Sequence, residues 1–183
     1  NPFEIINQIL IPAIKIVGKK YDREEYYLPQ LMASAESMEK AVSILKPHIQ
    51  TKNKEKKAKL LMATVKGDIH DIGKNIVKIM LENNGFKVYD LGKNVSDEKI
   101  IKAIEKNKID IVALSSLMTT TMPVLKRLTE KIKLKFSDVQ VIVGGAVVTE
   151  EYAKKIGADG YAANAFSAVE IAEKILKKTK VQK

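Results

Sequence analysis

From residue 59 onward the chain alternates short apolar segments with amphipathic ones, and this alternation constrains the fold more than any other feature. The segments KLLMATV, FKVYDL, DIVALSSL, VQVIVGG and GYAA are brief and almost unbroken by charge. Strands of that kind are buried on both faces, which requires a parallel sheet with helices above and below it. The stretches between them predict helices at 73–84, 97–107, 122–135, 150–156 and 165–178. Ser96 and Thr149 stand just before acidic residues, where a hydroxyl can accept a free backbone N–H and start a helix. Units of this type over residues 59–183 predict an α/β, flavodoxin-like (Rossmann-like) doubly wound sheet of five parallel strands.

Residues 1–47 follow a different grammar, with four of the five prolines and no strand pattern. FEIINQILIPAIKIVGKKY and LPQLMASAESMEKAVSIL carry apolar residues at helical spacing, among them Leu28, Leu31, Met32, Ala35, Met38, Val42 and Leu45. Pro29 suits a first helical turn and Pro47 a stop. This small all-α module is too short to bury both helix faces by itself. Residues 48–58 are charged and aperiodic, the composition of a flexible linker. The chain starts on Asn1, and the expectation is a piece of a longer polypeptide.

The 45% hydrophobic content is enough for a core, and no apolar run approaches the roughly 18–20 residues of a membrane span. With no cysteine, the chain has no disulfides, thiolate catalysis or cysteine-held metal. A cytoplasmic location is expected. The net charge of +10 is spread over lysines on helix faces, and four phenylalanines with no tryptophan offer little for base stacking. A solvated basic surface, with no nucleic acid or membrane partner, is therefore expected.

In a doubly wound sheet the first and third strands meet at the topological switch point, where ligands bind beyond the strand carboxyl ends. Three unusual segments follow strands and converge on that rim: VKGDIHDIG, SSLMTTT and GGAVVT. The first carries His70 between Asp68 and Asp71. Gly67 and Gly73 mimic a phosphate loop, but five residues separate them and Asn75 stands where a magnesium-binding hydroxyl belongs. No dinucleotide fingerprint and no serine nucleophile elbow is present. A lone histidine can simply tie loop backbone together. As a metal ligand it suffices only if a macrocycle supplies the other donors, since zinc wants about four from protein. Asp68 then gains a purpose, because a ligating imidazole usually gives its other N–H to a carboxylate.

Asp68-x-His70-x-x-Gly73, then Ser115-x-Leu117 after 41 residues, then Gly144-Gly145 after 26 more, resembles the signature of cobalamin-binding corrinoid proteins. The helical half, YYLPQLMASAESMEKAVSIL, is similar to the capping bundle of methionine synthase and corrinoid methyltransferase proteins, of which residues 1–47 supply only part. The resemblance implies a cobalamin whose benzimidazole has left cobalt, with His70 as lower axial ligand and Asp68 accepting its N–H. The same loop would contribute Gly67, Asp71, Ile72 and Gly73 to the cofactor. Small residues at Ser115, Gly144 and Gly145 would let backbone approach the displaced nucleotide tail, beside Leu117 and Thr119. The family's relay serine is Thr121 here, which keeps the hydroxyl and adds a methyl group. Tyr161 and Asn164 are expected to line the tail pocket, and Tyr27, Met32 and Ala35 to face the corrin from the cap.

A cap joined to a corrinoid fold favours methyl transfer over radical mutase chemistry, which uses the same loop without this bundle. The cofactor would cycle between cob(I)alamin and methylcobalamin, and this module would carry the methyl group between donor and acceptor domains or subunits. A reductive reactivation partner would accompany them. The non-methionine start and TTTMPVLKRLTE lean toward methionine synthase, with methyltetrahydrofolate as donor and homocysteine as acceptor. The alternatives are a stand-alone corrinoid protein of a methanol- or methylamine-type system, or a non-catalytic cobalamin sensor.

Overall fold

The computed structural model describes residues 2–48 and 58–181, and the chain divides into two compact units, residues 1–50 and 51–183. The expected linker at 48–58 lies almost wholly outside the described residues.

In the second unit the sheet order is β2-β1-β3-β4-β5, with every pairing parallel. The strands are β1 (Lys59–Thr64), β2 (Lys87–Asp90), β3 (Ile111–Ser115), β4 (Gln140–Gly144) and β5 (Gly160–Ala162). Order reverses between β1 and β3, as the doubly wound expectation requires. The unit's helices are α4 (Ile72–Asn83), α5 (Asp97–Asn107), α6 (Met122–Lys135), α7 (Glu150–Lys155) and α8 (Ala165–Val181). Predicted and observed helix limits coincide for α5 and α6 and differ by one to three residues at the ends of the others. The apolar runs lose a residue or two at their ends; after β1, Val65 makes only an isolated bridge to Val95.

Burial follows from the pattern. Leu61, Ala63, Val112, Leu114, Val141 and Val143 alternate along the central strands and pack on Ile100, Ile104, Leu125, Leu128 and Ile132. The Ser96 and Thr149 hydroxyls cap α5 and α7 by accepting from the amides of Lys99 and Tyr152. Those caps fix where the loops end and thus what remains at the sheet rim.

The first unit consists of α1 (Pro2–Glu4), a π-helical stretch (Ile5–Leu10), α2 (Ile11–Asp22) and α3 (Leu28–Leu45). Pro29 sits in the first turn of α3, and the helix gives way at Lys46–His48 to a short 3-10 turn containing Pro47. Ile6 and Met38 are its buried apolar residues among those described, whereas Ile9, Ile16, Leu28 and Met32 are exposed.

Candidate functional site

The β1–α4 loop is shaped before any side chain acts. Gly67 takes a φ of +88°, which favours glycine, and reverses the chain so that the Asp68 amide donates to the Val65 carbonyl. The β2–α5 loop braces the turn from one side. The Asn94 side-chain oxygen accepts from the Gly67 amide at 2.9 Å, and the Asn94 amide donates to the Asp68 carbonyl, also at 2.9 Å.

Asp68 is fully buried, while the side chain of His70, two residues on, is 46% exposed. The Asp68 Oδ1 accepts from the His70 amide at 3.0 Å and lies 2.8 Å from the ring Nδ1. With the carboxylate ionised, Nδ1 carries the proton and Nε2 keeps its lone pair. That lone pair has no hydrogen-bond or ion-pair partner among the described residues. The other carboxylate oxygen, Oδ2, accepts from the Leu117 amide at 2.6 Å and the Thr121 hydroxyl at 3.1 Å. Burial alone would raise the Asp68 carboxyl. The Leu117 and His70 amides, with the His70 ring and Thr121 hydroxyl, outweigh it and hold the group below the ordinary carboxylate value.

The sheet register explains why the three segments meet. Thr64 at the end of β1 is level with Ser115 at the end of β3, and Ser115 is level with Gly144 of β4. Asp68 therefore reaches across the β1/β3 boundary to Leu117 and Thr121. The Ser115 hydroxyl lies 2.9 Å from that of Thr64, whose Oγ1 donates to the His70 carbonyl at 3.2 Å. Ser115 thus supports the histidine loop through Thr64, a residue the sequence reading did not single out.

The glycine pair is also required by the protein's own packing. A Cβ on Gly144 would lie 2.8 Å from the Ala162 carbonyl oxygen, and one on Gly145, at φ +126°, would overlap the Ser116 carbonyl. Neighbouring protein backbone forbids side chains there, whatever ligand lies beyond. Gly73, by contrast, faces open space. The methyl of Thr121 lies 3.5 Å from where a Gly67 Cβ would sit, so the substitution of threonine for serine is accommodated by ordinary contact.

The other expected site residues take up these positions within their own units. Asp71 precedes α4 without capping it and lies 3.9 Å from the Lys93 ammonium, and Ile72 opens the helix. Thr119 is exposed on the 3-10 turn Thr119–Thr121, and Leu117 is 40% exposed at the rim. The Tyr161 ring packs on the core, and the Asn164 side-chain oxygen accepts from the amides of Phe166 and Ser167 at the start of α8. That oxygen is committed to capping. In the helical unit, Tyr27 and Met32 are exposed at 66% and 55%, and Ala35 is half-buried.

One feature beside the loop went unnoticed in the sequence. Lys74 follows Gly73 and is buried, with its ammonium 2.6 Å from Asp90 at the end of β2 and 2.9 Å from the Asn75 side-chain oxygen. Asp90 also accepts from the Gly92 amide. The pair ties α4 to the β2–α5 loop that braces Gly67.

The site fits a metal that arrives with its own ligands. No group of three or more His, Cys, Asp or Glu side chains able to hold an ion occurs among the described residues. What exists is a single imidazole lone pair on a half-exposed ring, oriented by a buried carboxylate, on a rim where Ile69 and Leu117 are exposed.

A flavodoxin-like sheet that presents one oriented imidazole at its switch point defines the class. Family comparison then gives the kind. Profiles described as B12 binding domains match residues 58–170 and, separately, residues 1–46. A corrinoid protein of Desulfitobacterium hafniense (strain Y51) is 42% identical over 92% of this chain and 81% of its own length. Dimethylamine corrinoid protein 2 of Methanosarcina acetivorans is 39% identical over 96% of this chain and 83% of its own. Among solved structures, the monomethylamine corrinoid protein of Methanosarcina barkeri superposes with a TM-score of 0.88 at 35% identity, covering 96% of this chain and 84% of that one. A methanol:cobalamin methyltransferase complex from the same organism gives 0.63 at 30% identity, covering 96% and 68%. The chain belongs to the cobalamin-binding corrinoid proteins of methyltransferase systems.

Proposed function

We propose that this chain is the methyl-carrying corrinoid protein of a methylamine-type methyltransferase system, with His70 as the residue that would ligate cobalt. The lean toward methionine synthase gives way here, because the relatives named above include a dimethylamine and a monomethylamine corrinoid protein and a methanol:cobalamin methyltransferase complex. The observation that carries the ligand assignment is the fully buried Asp68 holding Nδ1 of a half-exposed His70. Bound cobalamin supplies the cobalt that accepts and releases the methyl group.

The chain's own residues do four things. His70 would offer Nε2 to cobalt. Asp68 fixes the tautomer and raises the imidazole's donor strength. The Leu117 amide and Thr121 hydroxyl keep Asp68 ionised although it is buried. The loop brace from Asn94 keeps the imidazole in place. No residue among these activates a substrate, so donor and acceptor chemistry falls to partner subunits, with a reductive partner to restore the carrier.

Two measurements test the proposal. Histidine labelled with nitrogen-15 should show superhyperfine coupling to cobalt(II) in spin resonance, and benzimidazole coupling would sink the ligand assignment. The reduced, loaded protein should take a methyl group when a methylamine:corrinoid methyltransferase and its amine are added. Methylation only from methyltetrahydrofolate with a folate-binding partner would return the reading to methionine synthase.

A further inference from the structure

The β3–α6 loop holds a buried hydroxyl that the site as described leaves unused. Ser116 occupies the free middle position of Ser-x-Leu and is fully buried. Its Oγ lies 2.7 Å from the Thr121 Oγ1 and 3.2 Å from the Met118 carbonyl oxygen. Each hydroxyl has one proton to give, so the directions can be worked out.

Thr121 has two pure acceptors in reach, the Met118 carbonyl at 2.9 Å and the Asp68 Oδ2 at 3.1 Å. Distance alone favours the carbonyl. That choice would turn a lone pair of Thr121 toward the carboxylate. Ser116 shifts the balance. Its shorter contact is with Thr121, and a hydroxyl that accepts a hydrogen bond donates its own proton more strongly. The ionised carboxylate is the stronger of the two acceptors and gains most from that donation. The consistent arrangement is a chain in which Ser116 donates to Thr121 and Thr121 donates to Asp68.

We propose that Ser116 is a positioning residue that turns the Thr121 hydroxyl onto Asp68 and so sets how strongly Asp68 draws on the His70 Nδ1–H. Donation to Oδ2 withdraws charge from Oδ1, which faces the ring. The imidazole is then a weaker donor at Nε2 than it would be beside an undamped carboxylate. The chain thereby tempers the bond to cobalt from a residue that touches neither ring nor cofactor. This inference rests on His70 being the ligand.

The test uses the full chain with nitrogen-15 histidine, first without cofactor and then loaded and reduced to cobalt(II). Without cofactor, Ser116→Ala should move the His70 Nδ1–H resonance downfield, and Thr121→Val should move it further. The double variant should match Thr121→Val alone, because Ser116 acts only through Thr121. Ser116→Cys keeps volume with a weak donor and should follow Ser116→Ala, which separates lost donation from lost packing. In the loaded protein the histidine nitrogen coupling should increase in the same order. An unmoved resonance in Ser116→Ala, or shifts that add in the double variant, would show that Ser116 only fills space. Absence of histidine coupling in the unsubstituted loaded protein would overturn the ligand assignment and this inference together.

Discussion

The two units of this chain show opposite ways of using apolar residues. In the α/β unit most side chains of β1, β3 and β4 are buried, and even Asp68, Lys74, Ser116 and Thr121 are buried with their partners supplied. In the helical unit Ile5, Ile9, Ile16, Leu28 and Met32 are exposed, and Tyr27 more so. A sheet can bury both faces under its own crossover helices, whereas two helices can cover only the stripe where they meet. The α/β unit can therefore hold charged groups in a fixed geometry, and the helical unit offers apolar surface to something else.

Substitutions can break this comparison. The largest effects should fall in the α/β unit. Lys74→Ala leaves Asp90, whose side chain is only 15% exposed, without its closest cation and should cost about 3–5 kcal/mol in urea unfolding. Leu128→Ala removes a fully buried contact between α6 and the sheet, at about 2–5 kcal/mol. If either falls below about 1 kcal/mol, the unit is less tightly packed than described.

A smaller effect on stability, with a clear one on the ligand, should come from Asp68. Asp68→Asn should weaken cobalamin binding by about 10–100-fold, the usual result of losing the partner of a ligating histidine. Equilibrium titration of the cofactor spectrum measures it. Unchanged affinity would mean that Asp68 only closes the loop.

The acid response of the α/β unit follows from two carboxylates held low. For Asp90, burial raises the value, but Lys74, the Gly92 amide and Lys78 outweigh it, as the donors around Asp68 do there. Their folded values lie below an unfolded value of about 3.9, so the unfolded chain binds protons more tightly. Their stabilisation is full above about pH 5 and is lost as pH falls through about 4 toward the folded values. Urea midpoints across that range should drop, and Asp90→Asn should flatten the drop. A midpoint independent of pH there would contradict the assignment.

The smallest stability effects belong to the helical unit. Ile16→Ser should change stability by no more than about 0.5 kcal/mol. Tyr27→Ala should do the same, yet speed photolysis of the loaded protein if this unit shields the cofactor. Unaltered photolysis would leave the exposed Tyr27 without that role.

The sequence by itself determined the alternation of strands and helices, the caps at Ser96 and Thr149, and the pairing of Asp68 with His70. Each is a local matter of side-chain type and spacing, fixed by backbone periodicity or by two residues of one turn. The tertiary structure decided the rest. A lysine bears the same charge in water or in a core, so nothing local marked Lys74 as buried against Asp90. The carbonyls that exclude side chains at Gly144 and Gly145 belong to Ala162 and Ser116, brought beside them only by the fold. The Leu117 donor to Asp68 is a backbone amide, which has no signature in any sequence. Ser116 was an unspecified letter in a motif until folding set its hydroxyl 2.7 Å from Thr121, because hydrogen bonds form between positions in space and not between positions in the chain.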